Sequence, residues 1–285
     1  MIDQLFEKFD GAFAENTLRA YRSDFKQYEL WCAEKKQPSL PATADLIAEY
    51  VDFMSIESKS ATIRRRINSL GTIFKLSKHP DPTKEPEVIL ALKRMHRKIG
   101  RHQHQATPLT RDILDQLLEK CTNDAKGYRD RVLLLLGYET MRRRSELCNF
   151  RFEDVTQIRG RGHAIRLMKS KTDQEGVSKL IPISTSLYSS ISDWKNKYQL
   201  DGVILRSVDR YGKVGGKLNS GSIGGILNRL NNMLGEDLNL CYFSGHSFRV
   251  GAAIDLLEAG ASLETIMLRG GWRSQDNAMN YLRSW

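Results

Sequence analysis

Paired cysteines, long apolar runs and clustered carboxylates are all missing from this 285-residue chain. Its four cysteines, Cys32, Cys121, Cys148 and Cys241, are far apart and form no CxxC pair, which argues against a zinc knuckle or a disulfide framework and leaves reduced core thiols as the expectation. No stretch of about 18 apolar residues is present to cross a bilayer, and the segment from Met1 to Asp10 lacks the basic flank and apolar run of a signal peptide. A soluble, cytoplasmic protein with no membrane contact is therefore expected. No carboxylate cluster has metal-binding spacing, and the HxH pair His102 and His104 has no third ligand type nearby, so neither a metal nor a cofactor is expected.

Positive charge is what the chain has in quantity. Lysine and arginine number 44 against 34 acidic residues, giving a formal charge of +10 and a pI near 9.4. That balance favours a polyanionic partner, because each cation set against a phosphate releases a condensed counterion. With 40% hydrophobic residues the chain can fill two medium cores, and two domains are expected.

Over residues 1–100 the apolar positions recur at helical spacing. Leu18, Tyr21, Phe25, Tyr28 and Trp31 mark one helix; Thr43 is placed to cap a second, and a third begins near Ser60 and carries Ile63, Ile67, Leu70 and Phe74. Pro86 suits the first turn of a fourth. Residues 101–108 have no periodicity and read as a linker. Residues 109–285 suggest helices near 112–118, 129–138, 185–198, 219–234, 246–259, 262–269 and from 274 onward, with Gly260 and Gly270 in stop positions. Two segments, His163 to Met168 and Lys179 to Ile183, read as strands joined by a polar turn. The expected fold is mainly α with a small antiparallel β-sheet: a helical N-terminal domain followed by a mixed α/β domain.

Within the second domain, Arg142, Arg143 and Arg144 follow the buried-looking run Val132 to Leu136. A guanidinium cannot shed its charge to enter a core, so three in succession call for partners. Arg143 and Glu146 are three apart and share a helix face, although a solvated basic helix end is the plainer reading of that segment alone; a shifted helix would make Arg142 or Arg144 the operative residue. Lys171 stands at a strand end beside the hairpin turn. His246 and Arg249 open a helix, where backbone amides and the dipole favour an anion. Trp272 follows a Gly-Gly turn and Tyr281 lies nine residues further on, each as readily an ordinary half-buried aromatic when taken singly.

In this order, Arg143 with Glu146, Lys171, His246-x-x-Arg249 within Gly245-His246-Ser247, Gly271-Trp272 and Tyr281 resemble the signature of the tyrosine recombinases, also called the phage integrase family. The resemblance covers residues 107–285 and extends into the first domain through Thr17-Leu18-x-x-Tyr21 and Thr62-Ile63-x-x-x-Ile67. It implies an N-terminal core-binding domain and a catalytic domain that form a C-shaped clamp on DNA, hinged at the linker. Tyr281 would attack a DNA phosphorus and hold it as a 3′-phosphotyrosine. Arg143 and Arg249 would grip the non-bridging oxygens, His246 and Trp272 would add donors, Lys171 would protonate the departing 5′ oxygen, and Glu146 would orient Arg143 and His246.

Religation from the retained ester needs neither ATP nor metal, so the resemblance implies strand exchange through a Holliday junction at a site with inverted repeats, by dimers and tetramers on double-stranded DNA. Related enzymes carry a further helix that docks into a neighbouring subunit, whereas Leu282, Arg283, Ser284 and Trp285 alone follow Tyr281 here, so weak tetramer assembly is expected. By the same analogy, Lys59, Ser60, Thr62, Arg64 and Arg65 are candidates for the major groove or its phosphates; Lys93, Arg94, Arg97, Lys98 and Arg101 would track phosphates; and Asn219, Ser220 and Ser222 open a second groove-reading helix. Two rival readings share the fold: a type IB topoisomerase-like nicking-closing enzyme, and a catalytically silent DNA-binding regulator.

Overall fold

The computed structural model describes residues 6–7, 9, 11–101, 105–160, 162–168, 178–235 and 242–282; Lys171, His102, His104 and Cys241 lie outside them. The chain divides into two compact units, Met1–His104 and Gln105–Trp285.

In the first unit, helices α1 (Glu15–Glu34), α2 (Ala44–Met54), α3 (Ser60–Leu76) and α4 (Pro86–Ile99) surround one core. Thr43 caps α2 by accepting the Leu46 amide at 3.2 Å, and Pro86 occupies the first turn of α4, where its missing N–H costs nothing. An aromatic cluster fills the centre, with Tyr50 5.1 Å from Tyr28 and 5.0 Å from Trp31, ring centre to ring centre. A buried carboxylate ties α1 to α3: Asp24 accepts from Ser69 Oγ at 2.7 Å and from Arg65.

The second unit runs α5 (Arg111–Glu119), α6 (Ala125–Thr140), a single turn α7 (Arg144–Leu147), β1 (Val155–Ile158), β2 (Gly162–Leu167), β3 (Lys179–Ile183), α8 (Thr185–Tyr198), β4 (Arg206–Val208), β5 (Val214–Lys217), α9 (Ser222–Asn231), α10 (Ser247–Glu258), α11 (Leu263–Gly270) and α12 (Gln275–Leu282). Strands β1, β2 and β3 form an antiparallel sheet in that order, with Ile165 opposite both Val155 and Ile181. Helix α6 packs against α8 on one side and α10 on another. Burial from several sides explains why Val132 to Leu136 is apolar without a break, where a surface helix would alternate. Cys32, Cys121 and Cys148 are buried thiols, as expected.

Three details differ from the sequence expectations. Besides the expected pair of strands there are β1 and a separate β4–β5 hairpin. The residue that stops α11 is Gly271, with φ 69°, and Gly270 is still helical. Residues 105–108, expected in the linker, belong to the second unit, where Gln105 Nε2 donates to the Tyr281 carbonyl at 2.5 Å.

Close backbone approach fixes α10 in place. A Cβ on Gly251 would sit 1.9 Å from the Leu109 carbonyl oxygen, and one on Gly137 would sit 2.6 Å from the Phe248 ring. The Leu109 amide in turn donates to the Ser247 carbonyl at 3.0 Å. Since backbone cannot give way as a side chain can, Gly251→Ala is expected to destabilise the protein by about 2–3 kcal/mol in a denaturant titration; an unchanged midpoint would contradict this packing.

Candidate active site

The site begins where α6 ends. Met141 takes a left-handed backbone conformation, φ 52°, which breaks the helix and turns the next residues across its end. Arg143 then precedes the one-turn helix α7, with Glu146 in its first turn. The Glu146 carboxylate accepts from the Arg143 amide at 3.0 Å and from Arg143 Nη1 at 3.1 Å, so the expected pair forms and fixes the guanidinium direction.

Arg249 reaches the same place from the first turn of α10. It is 2% exposed, and its Nη1 donates to the Met141 carbonyl at 2.7 Å. Its guanidinium carbon lies 4.8 Å from the Trp272 ring centre and 5.9 Å from that of Tyr281. The two rings are 5.0 Å apart. Burial lowers the Arg249 pKa, Tyr281 opposes the shift, and Arg143 adds to it. Arg249 Nε is buried with no acceptor among the described residues.

His246 stands immediately before α10. The residue is exposed, yet its ring loses enough water to hold the imidazole below its ordinary pKa, with the charges of Arg249, Arg144 and Arg143 acting in the same direction. A neutral ring with one acceptor nitrogen follows at neutral pH. Arg143, Glu146, His246, Arg249, Trp272 and Tyr281 thus come together from α6–α7, α10, the turn after α11 and α12; Lys171 lies outside the described residues.

Arg142 does something the sequence did not disclose. It is 4% exposed, and its Nε donates to the Thr140 carbonyl at 2.6 Å while Nη2 donates to the Arg269 carbonyl. Burial, then the Arg249 charge, push its pKa down to about 10, which still leaves it charged at neutral pH. Lys179 Nζ donates to the neighbouring Leu268 carbonyl at 2.8 Å, and its pKa is lowered by burial and by Arg142. Two cations therefore satisfy the carbonyl end of α11, the negative end of its dipole. The Gly-Gly pair after Arg269 makes room: a Cβ on Gly271 would lie 2.6 Å from Arg142 Nη1, and one on Gly270 would lie 2.0 Å from the Trp272 ring. Arg142 and Lys179 hold the turn that presents Trp272. The sequence signal available was three consecutive arginines after an apolar run, which does not say which of them is buried.

The candidate DNA-contact residues are placed less uniformly. Lys59, Arg64, Lys93, Arg97, Lys98 and Arg101 are exposed. Thr62 is half-buried, Ser60 Oγ pairs with His96 Nδ1 at 3.0 Å, Arg65 is held by Asp24, and Arg94 pairs with Asp52 at 3.0 Å. Asn219 and Ser222 are exposed and Ser220 half-buried, but α9 starts at Ser222, because Asn219 Oδ1 accepts the Gly221 amide at 2.8 Å in a turn before the helix.

Residues 107–285 match the profile of the phage integrase family, and the chain belongs to it. Over 96% of its length it is 28% identical to an integrase/recombinase xerD homolog of Selenomonas ruminantium, covering 83% of that protein. It is likewise 26% identical, again over 96% of the chain, to the cre recombinase of Escherichia phage P1, covering 85% of it. Among solved structures, XerH recombinase bound to a palindromic difH substrate superposes with a TM-score of 0.69 at 16% identity, covering 93% of this chain and 76% of that one. A lambda integrase dimer bound to a COC′ core site gives 0.67 at 18% identity, covering 98% and 93%. These superpositions establish the fold, which is mostly helical with small antiparallel sheets.

The electrostatic account of His246 is directly testable. Arg144→Gln keeps the Cβ and Cγ methylenes that lie over Gly245 and removes one of the three charges holding the imidazole low. Fewer positive neighbours make protonation easier, so the His246 pKa is expected to rise when the ring is titrated by NMR; an unmoved or lowered value would contradict the assigned cause.

Proposed function

We propose that this chain is a tyrosine site-specific recombinase, in which Tyr281 is the nucleophile and Arg143, His246, Arg249 and Trp272 surround the phosphate it attacks. The observation that carries the assignment is the buried Arg249 guanidinium, set against the Trp272 ring and 5.9 Å from the centre of the Tyr281 ring, with one N–H lacking an acceptor among the described residues. A buried donor without a partner costs about 1–3 kcal/mol. A phosphodiester oxygen beside Tyr281 would satisfy it. Membership in the phage integrase family supports the same reading.

In the proposed reaction the Tyr281 oxygen bonds to phosphorus as the bond from phosphorus to the 5′ oxygen breaks. His246, kept neutral by its surroundings, accepts the phenol proton. Lys171 supplies a proton to the departing 5′ oxygen. Arg143, steered by Glu146, and Arg249 bind the non-bridging oxygens as charge builds on the pentacoordinate phosphorus. The ester linkage is conserved in the 3′-phosphotyrosine, so a 5′ hydroxyl from another duplex reverses the reaction with no other energy source. Exchange of both strands between two duplexes requires four cleavages, hence four protomers on DNA, formed from dimers bound at inverted repeats. Lys59 and Arg64 at the start of α3, the exposed cations of α4 and the start of α9 are the proposed DNA-facing positions.

The test is covalent capture on a nicked duplex drawn from DNA flanking the gene. The unaltered protein is expected to form an adduct, Tyr281→Phe none, and Arg249→Ala about a hundredfold less rapidly or worse. An adduct persisting in Tyr281→Phe would refute the nucleophile, and supercoil relaxation without recombinant products would move the chain to the topoisomerase-like reading.

A further inference from the structure

Among the described residues of the second unit, the β4–β5 hairpin has a hydrogen-bonded tip left almost wholly in solvent. Asp209 Oδ1 accepts the amides of Tyr211 at 2.8 Å and Lys213 at 2.9 Å, while the Asp209 amide donates to the Lys213 carbonyl at 3.1 Å. Gly212, with φ 83°, closes the turn. The only carboxylate between Arg206 and Lys217 is thus directed into the turn, and Arg206, Arg210, Lys213 and Lys217 give the segment a net charge of +3, four cations less one anion.

At the tip, Tyr211 is 79% exposed, and the Arg210 guanidinium lies 4.7 Å from its ring centre. An exposed tyrosine by itself signifies little. Here it sits on a hydrogen-bonded turn, beside a stacked cation. Lys126 Nζ, from the start of α6, reaches the Arg210 carbonyl at 3.5 Å, and Ser207 Oγ donates to the Gly216 carbonyl at 3.2 Å across the strands.

The base of the hairpin meets the segment that follows the active-site turn. Lys217 Nζ donates to Asn149 Oδ1, just beyond the turn carrying Arg143 and Glu146, and its charge reaches Cys148 together with that of Arg144.

We infer that this hairpin is a second DNA-contact element, lying along the sugar-phosphate backbone that flanks the cleaved phosphate: Arg210 and Lys213 neutralise phosphates, and Tyr211 packs its ring against the sugar edge. The inference rests on the recombinase reading above. Its donors are two cations on a short, glycine-rich ribbon, and set against phosphates they add affinity without sequence preference. Preorganisation is what makes it useful, since little order has to be imposed on binding.

The experiment uses the full chain and the same nicked duplex, with binding measured across a salt series and adduct formation measured at saturating DNA. Arg210→Ala combined with Lys213→Ala is expected to weaken binding about tenfold or more and to reduce the salt slope by about 2, one unit for each lost phosphate contact. Tyr211→Ala is expected to weaken binding severalfold with the slope unchanged, and all these variants are expected to form the Tyr281 adduct at the unaltered rate once saturated. Lys84→Ala, which removes an exposed charge in the first unit, sets the baseline for charge loss alone. Affinity and salt slope of the double variant equal to those of Lys84→Ala would overturn the inference while the adduct, still formed, leaves the recombinase reading intact. Failure of the unaltered protein to form an adduct would overturn both.

Discussion

Several guanidinium groups are buried at one point of this fold, and the carboxylate whose charge reaches Arg142 and Arg249 is Glu146. Bringing like charges together out of water is costly, and one carboxylate does not offset it. What makes the arrangement tolerable is that two helices end there. The carbonyls of Thr140 and Met141 at the end of α6 accept from Arg142 and Arg249, and those of Leu268 and Arg269 at the end of α11 accept from Lys179 and Arg142. Each carbonyl would otherwise be an unsatisfied group at a helix end, and each carries the negative end of the dipole. Cations and helix ends solve each other's problem, but the solution uses partial charges, so the cluster keeps a net positive charge that suits an incoming phosphate.

The same constraint explains the glycines. Gly270 and Gly271 lack side chains where the Trp272 ring and Arg142 come closest, and Gly245 lacks one beneath Arg144. A side chain at any of these would displace a ring or a cation from the site. The left-handed Met141 belongs to the same scheme: by ending α6 abruptly it exposes the carbonyl that Arg249 takes and directs Arg143 toward its carboxylate partner. Arg142 and Lys179 are positioning residues in this account, acting on the turn before Trp272 with no part in the chemistry itself.

Much of this was legible in the sequence. Helical periodicity placed the helices of both units, because their apolar faces pack on single cores, and Thr43 and Pro86 marked helix starts by their own local chemistry. Three-residue spacing made the Arg143–Glu146 pair possible, but the segment alone reads more plainly as a solvated basic helix end, and it is the resemblance that favours the pair the structure shows. The role of Arg142 was not legible, because its acceptor on Arg269 lies 127 residues away and is a carbonyl, which every residue has. The β4–β5 hairpin was missed because strands of three and four residues with Gly215-Gly216 inside carry no alternation to detect. That Gly271 and not Gly270 stops α11 is not legible in the sequence, because the two adjacent glycines differ only in what surrounds them.

The central claim is that the Arg249 guanidinium neutralises charge on a non-bridging phosphate oxygen during attack by Tyr281. A substrate whose cleaved phosphate carries a methyl group in place of one such oxygen tests it, because the neutral methylphosphonate has no charge there to offset. Cleavage rates of the unaltered protein and of Arg249→Ala would be compared on both substrates. The rate ratio between the two proteins is expected to fall at least about tenfold on the methylphosphonate; an equal ratio on both substrates would contradict the claim.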